Sequence, residues 1–196
     1  MDFGQPFGGL LPGAQGAVLS VLLRTGAPLT GRRVHGLVGG RYSLWSVQEA
    51  LKSLVAIGLV ETQVVGSAGA HTINEHHFAV PHLRALVDPF AELRRVAIDV
   101  AGPEAAAVIL FGSVARGEAT SESDLDLVVI AAAGWDRRAD LEDAVRVRLG
   151  NPCDVLHFTP EEFDQLARAG EPVVSDIMRD GIALVGDKPT AGTGAT

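Results

Sequence analysis

The apolar positions change period twice along the chain. From Gln15 to Arg24, Val18, Leu19, Val21, Leu22 and Leu23 recur at helical spacing, and Gly26-Ala27-Pro28 breaks that helix. Thr30 predicts the N-cap of a second helix through Leu37, ended by Gly39-Gly40, and Ser43 predicts the N-cap of a third, running to about Ile57. The third helix is expected to bury Leu44, Val47, Leu51, Leu54 and Val55. After a stop at Gly58 the pattern shifts to strand: Leu59 to Val65 goes out, residues 66–69 form a hairpin tip, and Thr72 to Val80 returns. Pro81 then opens a helical stretch from His82 to about Val100, kinked or split at Pro89. Leu83, Leu86 and Val87 mark the buried side of its first piece, and Phe90, Leu93, Ala97 and Val100 that of its second. Residues 1–13 are rich in Gly and Pro and are expected to be poorly ordered.

Past Ala101-Gly102-Pro103, short apolar runs alternate with helical patterns. Ala105 to Phe111 reads as a strand, Ser113 to Arg116 as one helical turn, Gly117 to Ser123 as a polar loop, and Leu125 to Ala131 as a second strand. Arg137 to Leu149 is amphipathic, and Cys153 to Phe158 is a third strand. Thr159 caps a helix with Glu161 and Glu162 in its first turn. Pro172 to Arg179 is a last helix, and Ile182 to Val185 a short final strand. This order fits an α/β (α+β) domain on a mixed sheet.

The candidate chemistry lies where the second strand begins. Asp124 and Asp126 are one residue apart, so in an extended chain both carboxylates point to the same side, about 7 Å apart. Like charges so close resist double ionisation unless a cation neutralises them, and a hard divalent ion such as Mg²⁺ suits oxygen ligands. Upstream, Gly112-Ser113 follows the apolar run Val108 to Phe111, where a turn into a helix start offers an anion site. Taken singly, Asp124 reads as a loop cap and Asp126 as a surface partner of Arg116; the order Gly112-Ser113, Asp124, Asp126, Asp154 favours metal and phosphate.

Gly112-Ser113, ten residues, then Asp124-x-Asp126, with Arg116-Gly117 and Ser123 between them and Asp154 on a later strand, resembles the signature of the DNA polymerase beta-like nucleotidyltransferases. It is most similar to their minimal, stand-alone bacterial branch, over roughly residues 104 to 187. The resemblance implies that Asp124 and Asp126 hold two Mg²⁺ ions with ATP or another nucleoside triphosphate. It implies that Asp154 completes the first metal and accepts a proton, and that Gly112 and Ser113 hold the β- and γ-phosphates. Arg116 would neutralise phosphate charge or structure the loop, and Ser123 would cap the start of the strand or touch the nucleotide. The implied reaction moves AMP to a hydroxyl. The acceptor is a protein, such as a HEPN-type toxin partnered by its antitoxin, or an aminoglycoside in a weaker variant of the reading.

The N-terminal three helices and hairpin resemble the winged helix-turn-helix of bacterial transcription regulators. That implies a third helix in the major groove of duplex DNA, presenting Ser43, Trp45, Ser46, Gln48 and Lys52, with Arg32, Arg33 and Arg41 reaching phosphates and a homodimer on paired half-sites. A hairpin used only for protein contact or dimerisation is the plainer alternative. The expected organisation is a winged helix-turn-helix over 1–80, a connecting helix over 81–103, a nucleotidyltransferase domain over 104–187 and a flexible tail over 188–196.

Composition narrows the class. A hydrophobic content of 47% excludes a disordered protein. The single cysteine, Cys153, excludes a disulfide framework and reads as core filler rather than nucleophile. No apolar run approaches the roughly 20 residues of a membrane span, and the expected location is the cytoplasm. The net charge of −8 is uneven. Residues 1–80 hold five basic and four acidic residues, leaving 11 and 20 for the rest, a split that favours two domains with different partners. His71, His76 and His77 lack an acid cluster or cysteine to complete a metal set and read as solvated hairpin residues.

Overall fold

In the computed structural model, which describes residues 1–65 and 68–188, both anticipated caps are in place. Thr30 accepts the Arg33 N–H ahead of α2 (Gly31–Leu37), and Ser43 accepts the Ser46 N–H ahead of α3 (Leu44–Ala56). These helices pack with α1 (Gly13–Thr25) around Val18, Leu22, Val34, Leu51 and Leu54. The buried side of α3 differs by one step from expectation: Ala50 is buried, while Val55 is 36% exposed. The hairpin follows as β2 (Val60–Val65) and β3 (Ala68–Ile73), and a two-residue strand that periodicity does not reveal, β1 (Leu29–Thr30), completes a sheet of order β1-β3-β2. Of the expected hairpin tip at 66–69, Ala68 and Gly69 already belong to β3, while 66–67 and the tail beyond 188 lie outside the described residues.

The return strand ends at Ile73 rather than Val80. Phe78, Ala79 and Val80 suggest a longer strand, but Asn74 turns the chain: its Nδ2 donates to Gly58 O, its Oδ1 accepts from His76 N, and His77 O accepts from Val80 N. His76 and His77 therefore lie beyond the hairpin, with His77 stacked on Phe78. Pro81 sits in the first turn of α4 (Val80–Leu86), and Pro89 begins α5 (Pro89–Ala101). A proline N–H is missing where a helix start leaves donors unpaired anyway, so of the expected kink or split at Pro89 the split is what forms.

By contact the chain falls into two units, Gln5–Pro89 and Met1–Gly4 with Phe90–Thr196. The expected connecting stretch of 81–103 is thus divided at Pro89, and the first four residues group with the C-terminal unit. Residues 1–13 are also better held than their composition suggests. Phe3 meets Phe90 edge-on at 5.1 Å, and Phe7 is fully buried among α1 and α3 residues. Phe7 adopts a left-handed φ of 57°, which costs an aromatic residue roughly 1 kcal/mol or more; its burial outweighs this.

The C-terminal unit is a four-stranded sheet of order β6-β5-β4-β7, built from β4 (Ala105–Phe111), β5 (Leu125–Ala131), β6 (Cys153–Phe158) and β7 (Ile182–Val185). β4 runs antiparallel to both β5 and β7, and β5 parallel to β6, so the sheet is mixed as expected. Leu93, Val96 and Ala97 of α5 and Leu141, Val145 and Leu149 of α7 (Arg138–Leu149) cover one face. Phe163 of α8 (Pro160–Ala169) and Val174 and Ile177 of α9 (Pro172–Asp180) cover the other. Thr159 and Glu162 form the anticipated capping box of α8. On the first face Trp135 donates to Ala101 O at 2.9 Å and packs on His157, whose Nε2 is buried without a partner. At the outer edge, Val155 N donates to Glu142 Oε1 at 3.2 Å. Among the described residues no helix is long and apolar enough to cross a membrane.

Truncating Phe7 to Ala removes a fully buried ring from the small N-terminal core. The expected cost is about 3–5 kcal/mol to the Gln5–Pro89 unit, read as a lower urea midpoint at unchanged slope. An unchanged midpoint would show that the segment contributes nothing to that core.

Candidate active site

Strand alternation places the acids. In β5, Leu125, Leu127 and Val129 point into the α5/α7 core, while Val128 and Ile130 point toward α8 and α9. Asp126 shares the parity of Val128 and Ile130. In β6, Val155 faces the first core and Leu156 and Phe158 the second, so Asp154 lies on the same face as Asp126. The two are direct register partners, Asp126↔Asp154, at the start of a parallel pair. Asp124 sits one residue ahead of β5, exposed, as is Asp154; Asp126 is half-buried.

Burial first, then the charges of Asp154 and Asp124, raise the Asp126 carboxyl above the ordinary aspartate range; Arg116 pulls in the opposite direction. This is the electrostatic signature of like charges gathered at one sheet end. Among the described residues no group of three or more His, Cys, Asp or Glu side chains is arranged to hold a metal ion as it stands. The expected three-carboxylate set is therefore not pre-assembled, since repulsion favours separation and Asp124 lies in an exposed segment. In kind, the donors fit a hard divalent cation: all are carboxylate oxygens, and Asp126 carries excess negative charge that such an ion relieves.

Across the sheet, Phe111 pairs with Asp126, so the turn after β4 comes back over that carboxylate. Gly112 has φ +71°, and a Cβ there would fall on the Asp126 side chain, within 2.9 Å of its Cγ. Only glycine lets the backbone pass this close. Gly112 opens the single turn α6 (Gly112–Ala115), which brings Ser113, half-buried, beside the acids. The loop then folds on itself: Glu118 N donates to Ser113 O at 2.9 Å, and Arg116 Nε donates to Glu118 Oε2 at 2.9 Å.

Ser123 is engaged locally. Its Oγ accepts from Thr120 N at 2.9 Å, which shapes the turn before Asp124 rather than offering a free hydroxyl. Cys153 is no nucleophile: burial, followed by Glu142, Asp154 and Asp126, pushes its thiol up to about 12.

Three residues passed over in the sequence prove to support the site. Asn151, 2% exposed, donates through Nδ2 to Ser123 O and to Met1 O, each at 3.0 Å, tying the segment before Asp124 to the segment before Asp154. Leu125 N adds a bond to Pro152 O at 2.9 Å. Glu118 holds Arg116, and Asp180, kept low by its hydrogen bond from Arg179, also feels Arg116. A polar residue next to a proline, Asn151-Pro152, was the only sequence signal for Asn151.

Residues 99–185 match the family Polymerase beta, Nucleotidyltransferase. All of Gly112, Ser113, Arg116, Ser123, Asp124, Asp126 and Asp154 fall inside that segment. Among solved structures, the chain is similar to a toxin-antitoxin crystallised with AMP-PNP, at 22% identity over 51% of this chain and 75% of that one, with a TM-score of 0.39. It is also similar to the toxin-antitoxin MntA-HepT, at 21% identity over 50% and 70% of the two chains, with a TM-score of 0.34. No curated protein matches the chain.

The residues read as DNA contacts all lie in the Gln5–Pro89 unit but not on one free surface. Arg32, Gln48 and Lys52 line a shared cleft, while Arg41 hydrogen-bonds Gln5 at 3.3 Å beside a different hollow. Ser43 and Ser46 are joined through their hydroxyls at 2.9 Å in the α3 cap. Arg33 is exposed, and Trp45 is 70% exposed.

Because Asp126 titrates above the aspartate range when folded, its ionisation destabilises the fold. That contribution is favourable at acid pH and is lost as pH rises through the raised value. Asp126→Asn is expected to melt higher than the parent at pH 7, with the difference closing below about pH 4. Mg²⁺ is expected to raise the melting temperature of the parent more than that of the variant. Equal melting curves at both pH values would remove the charge strain.

Proposed function

We propose that the C-terminal unit is a Mg²⁺-dependent nucleotidyltransferase that moves a nucleoside monophosphate, AMP from ATP, onto a hydroxyl of a protein. The observation that carries this reading is the Asp126↔Asp154 register pair with Asp124 beside it, closed over by the Gly112-Ser113 turn. In this reading Asp124, Asp126 and Asp154 hold two Mg²⁺ ions, which supply Lewis acidity at the α-phosphate and lower the pKa of the attacking hydroxyl. Asp126 is the most buried of the three and lies in β5 against Gly112. Asp154, exposed at the start of β6, takes the hydroxyl proton on a carboxylate oxygen. The acceptor oxygen bonds to the α-phosphorus as the bond to pyrophosphate breaks. Ser113 and the Gly112 backbone hold the terminal phosphates, and Arg116, braced by Glu118, offsets their charge. Ser123 and Asn151 act through the backbone by fixing where Asp124 stands. The protein acceptor follows the motif resemblance, which points to a HEPN-type toxin partner.

Transfer of label from α-labelled ATP, GTP, CTP or UTP with Mg²⁺ into host-lysate proteins tests this. A labelled protein band is expected with ATP, falling at least about a hundredfold in the Asp124→Ala, Asp126→Ala double variant. Label in a small molecule instead would change the acceptor class. No transfer from any nucleotide would favour a nucleotide sensor or an inactive domain.

A second reading concerns Gln5–Pro89. We infer a winged helix-turn-helix that binds duplex DNA as a homodimer, supported by the element order and by Arg32 and Arg33, which have no carboxylate partner among the described residues. Lys52 already pairs with Glu49 at 2.7 Å, which limits the positive field. With about three phosphates neutralised per protomer, and so about six by the dimer, log affinity is expected to fall with log salt at a slope of about −5. A flat slope, or no binding at low salt, would leave the unit a role in protein contact.

A further inference from the structure

A cleft of about 920 Å³ opens in the Gln5–Pro89 unit, between α3, the start of α2 and the hairpin. Its size falls in the range of small-molecule sites. Leu51, Val55 and Ala56 form an apolar strip along the α3 side. Arg32 and Lys52 supply cationic heads, that of Lys52 shared with Glu49 at 2.7 Å, and among the described residues no carboxylate lines the cleft itself. On the hairpin side, Thr62 and His71 are register partners joined through Oγ1 and Nδ1 at 3.0 Å, so the ring presents Nε2 as its remaining polar atom. Gly69 lies diagonal to Thr62 across the hairpin, and a Cβ there would meet the Thr62 methyl at 3.1 Å, so this wall is open because the residue is small.

We propose that this cleft binds a compact amphipathic anion, an aromatic or aliphatic carboxylate, with the acid group between Arg32 and Lys52 and the apolar body over Leu51, Val55 and Ala56. A phosphodiester satisfies the two cations but has no apolar body to cover that strip. An uncharged apolar ligand covers the strip but leaves Arg32 without a counter-charge. Both features are met together only by a molecule with a charged head and an apolar body, whose polar edge Gln48, Thr62 and His71 then contact. The site does not depend on nucleotidyl transfer in the other unit. It shares Arg32, Gln48 and Lys52 with the DNA reading, so anion and DNA exclude one another where both bind.

The test is backbone and side-chain amide NMR of the ¹⁵N-labelled full chain, titrated with 2-naphthoate, 2-naphthalenemethanol and inorganic phosphate. Naphthoate is expected to shift Gly31, Gln48, Gly69 and His71 saturably, and the alcohol and phosphate to bind about tenfold more weakly or worse. Arg32→Ala and Lys52→Ala are each expected to weaken naphthoate about tenfold. Arg84→Ala, whose side chain pairs with Glu75, is expected to change nothing. The spectra themselves report whether each variant is folded. The proposal is overturned if naphthoate gives no saturable shifts, if the alcohol or phosphate binds as well, or if the variants bind unchanged. Shifts of the same residues by a short DNA duplex, without naphthoate binding, would make the cleft a nucleic-acid surface and overturn it too.

Discussion

Two carboxylates at matching positions of neighbouring parallel strands are an unfavourable arrangement, and the C-terminal unit is built to maintain it. The backbone ladder sets the spacing of the Asp126 and Asp154 Cα atoms, and their side chains can turn apart but cannot leave that sheet end without breaking register. The apolar faces on both sides of the sheet anchor the ladder, so hydrophobic burial holds like charges together. The turn at Gly112 then removes space on one side of Asp126. What remains is a polar corner of high negative potential beside a loop that carries a serine and an arginine. Matching of residues 99–185 to a nucleotidyltransferase family is consistent with such a corner.

Much of the architecture was legible because local signals agreed with one another. Thr30, Ser43 and Thr159 each announced a helix start, and the strands of the C-terminal unit lie where alternation placed them. The shared face of Asp126 and Asp154 comes from the register of β5 on β6, which neither strand encodes by itself. The misjudged parts have physical causes. Phe78, Ala79 and Val80 invite an extension of the strand past Ile73, but the hydrogen bonds of Asn74 end it. Phe7 lies in a Gly- and Pro-rich segment whose composition suggests disorder, yet one buried ring is enough to fix it. β1 is two residues long and owes its existence to pairing with β3, which no local pattern encodes. Asn151 resembles an ordinary turn residue until the chain brings Ser123, 28 positions away, to its amide.

The two units present different surfaces. The C-terminal unit concentrates acid, with Asp124 and Asp154 both acting on the Asp126 carboxyl. The N-terminal unit offers arginines and one lysine around an apolar strip, with several of its polar side chains already committed to caps and internal bonds. Reading all of its basic residues as one nucleic-acid face overstates the field, because Lys52, Arg41 and Arg84 have partners of their own. Position on the fold separates those residues in a way that counting them does not.

The bond from Val155 N to Glu142 bears on self-association. β6 is an outer strand, and an outer strand normally shows a row of free donors to which another chain can add. Here a carboxylate from α7 occupies one of those donors and sets a negative charge along the rim. The opposite rim is β7, only four residues long. A second copy approaching the sheet therefore finds one margin charged and the other too short to template a strand, so lateral growth into a continuous sheet is disfavoured and association is left to the helices.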